Sequence, residues 1–196
     1  MPKLLPDIDQ KIMDAAEELF REQGFEHTDM RAIARKTGIA VGTTYHYYKH
    51  KQALYQKVLA RNWQKTNQAL ETLSRQSGKP DERLRKMLLV FIEDMQNRKA
   101  FRFIWNEIGK EHRHQSPHVY HAENFKGLHT QMAESFSRVI HSMDNTQYKS
   151  SKEIDRLGNF VFVMAVDICM LPMEEAAQGI EIILELIESF VKKNRK

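Results

Sequence analysis

Eight cations, Arg31, Arg35, Lys36, Lys49, Lys51, Lys57, Arg61 and Lys65, fall between Met30 and Leu70 with no Asp or Glu among them. In a chain whose formal net charge is only +4, such a window suits a polyanion, because each phosphate neutralised by Lys or Arg releases condensed counterions. Ala40, Thr43, His46 and Tyr47 lie inside it, small or hydrogen-bonding groups suited to thymine methyls, base edges and phosphates. A second set could do coordination chemistry: Glu107, Glu111, His112, His114, His118 and His121, with Glu-x-x-His at Glu111 and His114 and His-x-x-His at His118 and His121. Those offsets can hold a divalent transition metal. A di-iron bundle would need a second Glu-x-x-His, which the chain lacks, so a polar histidine-rich turn is the plainer account and no metal or cofactor is assigned. Catalytic signatures are missing: no Walker loop, dinucleotide fingerprint, His-Glu-x-x-His or Gly-x-Ser-x-Gly occurs.

Local elements must place the DNA-directed groups. Met30, Ile33, Ala34 and Thr37 recur at i, i+3, i+4 and i+7, the apolar stripe of a short helix with Thr28 as N-cap and Asp29 in its first turn. Gly38 is the residue that can close this helix in the left-handed conformation, after which Ile39 returns the chain to the core. Val41, Thr44, Tyr45 and Tyr48 repeat the spacing inward on a second helix, with Ala40, Thr43, His46 and Tyr47 outward. Two short helices about a glycine turn form a helix-turn-helix whose second member enters the major groove.

The spacing of Thr28, Ile33-Ala34, Gly38-Ile39, Gly42, Tyr45, Tyr48, Lys51 and Leu54 resembles the DNA-binding domain of the TetR family of bacterial transcriptional regulators. The preceding helix agrees, with an inner stripe of Ile12, Ala15, Ala16, Leu19 and Phe20 closed by Gln23-Gly24-Phe25. The resemblance extends to about residue 60 and not beyond. Within it there are departures. Ala40 replaces the usual Ser or Thr cap of the recognition helix, a loss of about 1 kcal/mol. Thr44 stands where Leu is common and Val41 where a polar or basic residue is frequent, changes expected to alter sequence preference. His50 replaces the Ser or Asn that caps the next helix. The resemblance implies a homodimer formed by the last two helices as a four-helix bundle, an inverted-repeat operator on double-stranded DNA, and release by a small-molecule effector.

The rest of the chain reads as helix without a period-two strand. One helix runs from Lys51 to about Arg75 and breaks at Ser77-Gly78-Lys79-Pro80; Pro80 opens the next, which carries Leu84, Met87, Leu88, Phe91 and Met95. Further helices hold Phe101, Ile104, Trp105 and Ile108, then Phe125 to Met143 behind Ser116-Pro117, then a segment capped by Ser150 and Glu153 and ended by Pro172, and last Met173 to Lys192. The expected fold is all-α with about nine helices: residues 1–52 form the helix-turn-helix domain and 53–196 the effector-binding and dimerisation domain. Cys169, the only cysteine, cannot form an internal disulfide; the N-terminus lacks a signal-like apolar run, and the longest apolar stretch, 160–171, is too short for a bilayer. These features lead us to expect a cytoplasmic protein with no membrane partner.

Phosphate contacts are assigned to Thr28, Arg31, His46, Tyr47 and Lys51, the last through the amino end of its helix, and base contacts to Ala40, Val41, Thr43 and Tyr45, with Gly42 permitting close approach. Tyr45 stands at the margin, since its ring could lie in the core with only the hydroxyl reaching out. Phe91, Met95, Phe101, Trp105, Phe125, Leu128, Met132 and Phe162 supply an apolar effector pocket, and Asp167 either bonds the effector or sits as a paired acid at the dimer seam. The last two helices are apolar around most of their circumference, and Phe160, Met164, Ile180, Leu184 and Ile187 are assigned to a dimer interface. The function expected is a sequence-specific repressor released by a largely apolar small molecule. The competing readings are a DNA-binding dimer without organic effector, metal-responsive through the His112–His121 region, and a helical small-molecule binder or enzyme with an incidental helix-turn-helix.

Overall fold

The computed structural model describes residues 6–97, 122–143 and 151–192. These residues form eight helices and no strand: α1 (Pro6–His27), α2 (Met30–Thr37), α3 (Val41–Tyr47), α4 (Lys51–Arg75), α5 (Pro80–Asn97), α6 (Ala122–Met143), α7 (Ser151–Ile168) and α8 (Met173–Lys192). The chain divides into two compact units inside α4, between Trp63 and Gln64, so this one continuous helix belongs to both. The expected helix around Phe101 and Trp105 and the Ser116-Pro117 start fall outside the described residues.

In the first unit, the predicted stripe of α1 packs inward: Ile12, Ala15, Ala16 and Phe20 are buried with Met30, Ile33 and Ala34 of α2 and Leu54, Tyr55, Val58 and Leu59 of α4. α1 is interrupted at Gly24, whose φ of 82° lies in the left-handed region. That break brings the Phe25 ring to within 5.9 Å of Phe20 and 4.8 Å of Tyr55, closing an aromatic cluster at the base of the unit. Long-range polar ties hold α1 to its neighbours. The Tyr48 hydroxyl donates to Asp9 at 2.7 Å, Arg61 of α4 pairs with Asp14 at 2.7 Å and also with Glu17, and Lys36 of α2 pairs with Glu18 at 2.6 Å.

The second unit is built from the remainder of α4 with α5 to α8. Leu70 and Leu73 of α4, Leu84, Leu88, Phe91 and Ile92 of α5, Phe136 and Ile140 of α6, Val161 and Ala165 of α7 and Ile183 of α8 are buried. Side-chain bonds fix the register of neighbouring helices: Asn67 with Gln131 at 2.9 Å and Arg138 with the Ser74 hydroxyl at 2.6 Å join α4 to α6, and Arg85 forms a bidentate pair with Glu181 that joins α5 to α8. Arg83 donates to the carbonyls of Ser74 and Gln76 at 3.0 and 2.9 Å, satisfying acceptors that the end of α4 leaves open. α7 approaches α6 closely at Gly158, where an added Cβ would stand 2.8 Å from both the Ala133 carbonyl oxygen and the Ser137 amide nitrogen.

Two glycine substitutions separate this steric constraint from ordinary helix propensity. Gly158→Ala should destabilise the protein by about 1–3 kcal/mol in urea denaturation, because the methyl meets backbone that cannot swing aside. Gly127→Ala, at an exposed position of α6 with nothing near its added Cβ, should stabilise by roughly 0.5–1 kcal/mol. Equal effects of the two would remove the close approach as a determinant of the fold.

Candidate DNA-binding face

The turn between α2 and α3 forms as the sequence demands, with one exchange of roles. Gly38 takes φ 70°, ψ 20°, and the amides of Gly38 and Ile39 return to the carbonyls of Arg35 and Ala34. The N-cap of α2 is Asp29, whose carboxylate accepts from the Ala32 amide at 2.6 Å, and not Thr28 as the sequence suggested. Thr28 is buried, its hydroxyl donating to the Gly24 carbonyl at 2.8 Å and accepting from Gln23, so it is withdrawn from the surface where a phosphate contact would be made. Asp29 outcompetes it because its side chain reaches the orphan amide while Thr28 caps the break in α1.

Ala40 holds extended geometry at the start of α3 and offers no side-chain cap, as expected from the missing hydroxyl. The face of α3 is rotated relative to the sequence reading. Thr44 and Tyr48 are buried, whereas Val41 is 37 % and Tyr45 47 % exposed, so the latter two turn outward. The surface of α3 therefore consists of Ala40, Val41, Gly42, Tyr45 and His46, with Thr43 and Tyr47 half-buried beside them. Thr44 cannot touch a base, so its departure from the family pattern acts on the core. Its hydroxyl is buried without a hydrogen-bond partner among the described residues.

Seven of the eight cations divide into two groups, the eighth, Lys65, being exposed with a contact of its own. Lys36 and Arg61 are paired with carboxylates of α1, and Lys51 donates from Nζ to the Phe25 carbonyl at 2.6 Å while lying 4.2 Å from the Phe25 ring centroid. The Lys51 side chain thus serves the end of α1, and only the amino end of α4 is left for a phosphate. Arg31, Arg35, Lys49 and Lys57 are exposed with no ion pair among the described residues. Of these only Arg31 was singled out by sequence; the others were legible as charge but not as free charge. His50 also has a role that its residue type concealed, since its Nδ1 accepts from the Ala53 amide at 3.1 Å and caps α4 in place of Ser or Asn.

In the second unit Phe91, Met95, Met132 and Phe162 are all buried, and the rings of Phe91 and Phe162 stand 5.5 Å apart. Phe101 and Trp105, and the side chains of Phe125 and Leu128, lie outside the described residues. Asp167 is exposed on α7 in the single protomer, which takes it out of an enclosed pocket there, and it follows Phe160 and Val163 at helical spacing on the exposed side of that helix. On α8 the apolar residues form two stripes, and the one that the sequence reading assigned to a dimer interface is buried within the protomer. Ile180, Leu184 and Ile187 are 2, 5 and 1 % exposed and face their own protomer's core; Ile182, Leu186 and Phe190 are 55, 51 and 42 % exposed on the other side. On α7, Phe160 and Val163 are exposed and Met164 is half-buried. The Glu107 to His121 constellation is outside the described residues, and among those described no three His, Cys, Asp or Glu side chains converge as a metal set. Nor is any described helix long and apolar enough to cross a membrane.

Thr44→Val tests the rotation of α3. Replacing an unpartnered buried hydroxyl with an isosteric methyl should raise stability by about 1 kcal/mol while leaving DNA affinity unchanged. A comparable loss of stability would mean that the hydroxyl has a partner.

Comparison with known proteins assigns the region just described. Residues 12–58 match the family model described as bacterial regulatory proteins, tetR family. The HTH-type transcriptional regulator UidR of Escherichia coli K12 is 41 % identical over 49 residues, which cover 25 % of this chain and 25 % of UidR, so the match spans about a quarter of that relative's length. Structural likeness is longer but more distant. Salmonella enterica GusR superposes with a TM-score of 0.66 at 16 % identity, covering 97 % of this chain and 98 % of that one. Thermus thermophilus FadR, described as a TetR-family transcriptional repressor in complex with lauroyl-CoA, superposes with a TM-score of 0.59 at 20 % identity, covering 92 % and 93 % of the two chains. These likenesses carry the fold across both units, while the closer sequence match lies over the helix-turn-helix. The Gly38 turn, the buried stripes of α1 and α2 and the exposed α3 thus lie within residues 12–58, the segment that is similar to the DNA-binding domain of the tetR family of bacterial regulatory proteins.

Proposed function

We propose that the protein is a homodimeric, sequence-specific repressor that occupies an inverted-repeat operator and is released when a small molecule binds among the helices of the second unit. The observation that carries the DNA-binding part is the composition of the α3 surface: Ala40, Val41, Gly42, Tyr45 and His46 are exposed together, with the uncompensated cations Arg31, Arg35, Lys49 and Lys57 nearby in the chain. Methyl-sized and hydrogen-bonding groups read base edges, and the cations supply the salt-dependent affinity for phosphate. Dimerisation is supported by the exposed apolar residues Phe160 and Val163 on α7 and Ile182, Leu186 and Phe190 on α8, too many large side chains to leave in water. Two-fold symmetry then supplies two copies of α3 for the two half-sites.

Release requires that the effector bind the DNA-incompetent conformation more tightly than the DNA-bound one, and by linkage the operator must weaken effector binding by the same factor. We assign transmission to α4, the continuous helix from Lys51 to Arg75 that begins behind the helix-turn-helix and ends in the second unit. The buried apolar group of Phe91, Met95, Met132 and Phe162 favours a largely apolar effector.

The DNA face is tested by fluorescence anisotropy on an operator selected from random sequence. Tyr45→Ala and His46→Ala should each weaken binding by about 1–3 kcal/mol without loss of fold, and Arg31→Ala should lower the slope of log affinity against log salt by about one. Lys51→Ala should lower thermal stability and leave that slope in place. Wild-type affinity in the Tyr45, His46 and Arg31 variants would put the DNA face elsewhere.

Assembly is tested by a matched pair on α8. Leu186→Arg, on the exposed stripe, should give a folded monomer in sedimentation equilibrium, whereas Leu184→Arg buries an unpaired charge in the protomer and should unfold it or cost about 3–5 kcal/mol. A Leu186→Arg protein that remains fully dimeric would remove α8 from the interface.

A further inference from the structure

His129 of α6 stands apart from the other polar groups at the helix interfaces of the second unit. Its ring lies edge-on to Phe162 with centroids 4.6 Å apart, and Phe162 in turn meets Phe91 at 5.5 Å. Met132, one turn further along α6, is fully buried. Elsewhere at the helix interfaces of the second unit, Thr66 donates to Asp94, the Asn67 amide nitrogen to Gln131 and the Cys169 thiol to the Ala165 carbonyl at 3.0 Å, while the Asn67 Oδ1 is buried without a partner among the described residues. Half-buried His129 has no hydrogen-bond or ion-pair partner among the described residues. Burial alone holds its pKa below the ordinary imidazole value, with no carboxylate or cation among those residues acting on it. The result is a neutral imidazole, donor on one nitrogen and acceptor on the other, at the edge of an apolar cluster.

We propose that His129 is the polar contact of the effector site and that the effector is an amphipathic molecule with one carboxylate head, taken by the imidazole, and an apolar body laid against Phe91, Met132 and Phe162. The assignment rests on the effector-released reading above. The sign of the head group follows from the surroundings. A carboxylate accepts the ring N–H and draws a proton onto the second nitrogen, creating an ion pair where burial makes it count. An ammonium head would find a single lone pair and no described counter-charge, and a hydroxyl would gain a hydrogen bond but no charge.

Decanoate, decan-1-ol and decan-1-amine share one tail and differ only in the head, so titration calorimetry with these three probes on the full chain isolates it. Decanoate is expected to bind at least about tenfold more tightly than the amine, and to take up a fraction of a proton near neutral pH, read by comparing two buffers of different ionisation enthalpy. His129→Gln keeps a donor but cannot be charged; it should abolish the uptake and lower decanoate affinity about tenfold, leaving the alcohol's affinity and the melting temperature unchanged. Equal affinity for the three heads, proton uptake unaltered in His129→Gln, or no binding of any probe would overturn the proposal. Operator release measured on the same samples keeps the two readings apart. Decanoate held through His129 without operator release would keep the site and remove its effector role. Release by decanoate with undiminished affinity in His129→Gln would keep the effector reading and remove His129.

Discussion

The burial of Tyr48, with its hydroxyl bonded to Asp9, is the constraint on which the DNA face depends. α3 is only seven residues long and has no side-chain cap, so it has little means of setting its own rotation. Anchoring its C-terminal flank to the start of α1 fixes that rotation, and Thr44, one turn earlier, must then also point inward. Everything presented to solvent, from Val41 to His46, follows from this anchor. Burial, and then the bond to the Asp9 carboxylate, push the Tyr48 phenol well above its ordinary pKa, so the hydroxyl keeps the proton it donates at neutral pH.

Charge in the first unit is arranged by the fold in a way that linear sequence conceals. The stretch from Met30 to Leu70 contains no acid, yet α1 brings Asp14, Glu17 and Glu18 to Arg61 and Lys36, and its broken C-terminal turn takes up Lys51 through carbonyl oxygens. Three of the eight cations therefore hold the unit together. These are partly exposed pairs, each modest in energy, but together they tie α1 to both α2 and α4. Arg31, Arg35, Lys49 and Lys57 are exposed without an ion pair among the described residues, and theirs is the field available to a phosphate backbone.

Helix positions were legible because their signals are local. Pro80 opens α5, Gly38 turns the chain and the 3.6-residue period carries α4 from Lys51 to Arg75, each through backbone chemistry that neighbouring residues decide. Rotation was less legible. A two-turn helix such as α3 fits two apolar phases: periodicity put Val41 and Tyr45 on the inner stripe although both were also assigned to the bases, and the structure leaves them exposed. α8 has the opposite problem, being apolar on both sides, so periodicity cannot tell the stripe that fills its own core from the stripe left over. Asp29 over Thr28 as N-cap, and His50 as the cap of α4, were decided by side-chain geometry between residue types that are all competent acceptors. His129 went unremarked because a single histidine on a helix carries no pattern; only its seat against Phe162 distinguishes it.

The absence of a side chain at Gly158 has a mechanical consequence. α6 and α7 meet backbone to side chain with no space for a methyl group, whereas the joints of α4 with α6 and of α5 with α8 are made at the ends of long side chains that can swing by rotamer changes. Stiffness in the second unit is thus uneven: one helix pair behaves as a single slab, and compliance is concentrated where Asn, Gln, Arg and Glu bridge the gaps. Of these side-chain joints, the one between α4 and α6 is carried by a helix that runs on without a break to Lys51, so the compliant side of the slab includes the one element shared with the first unit.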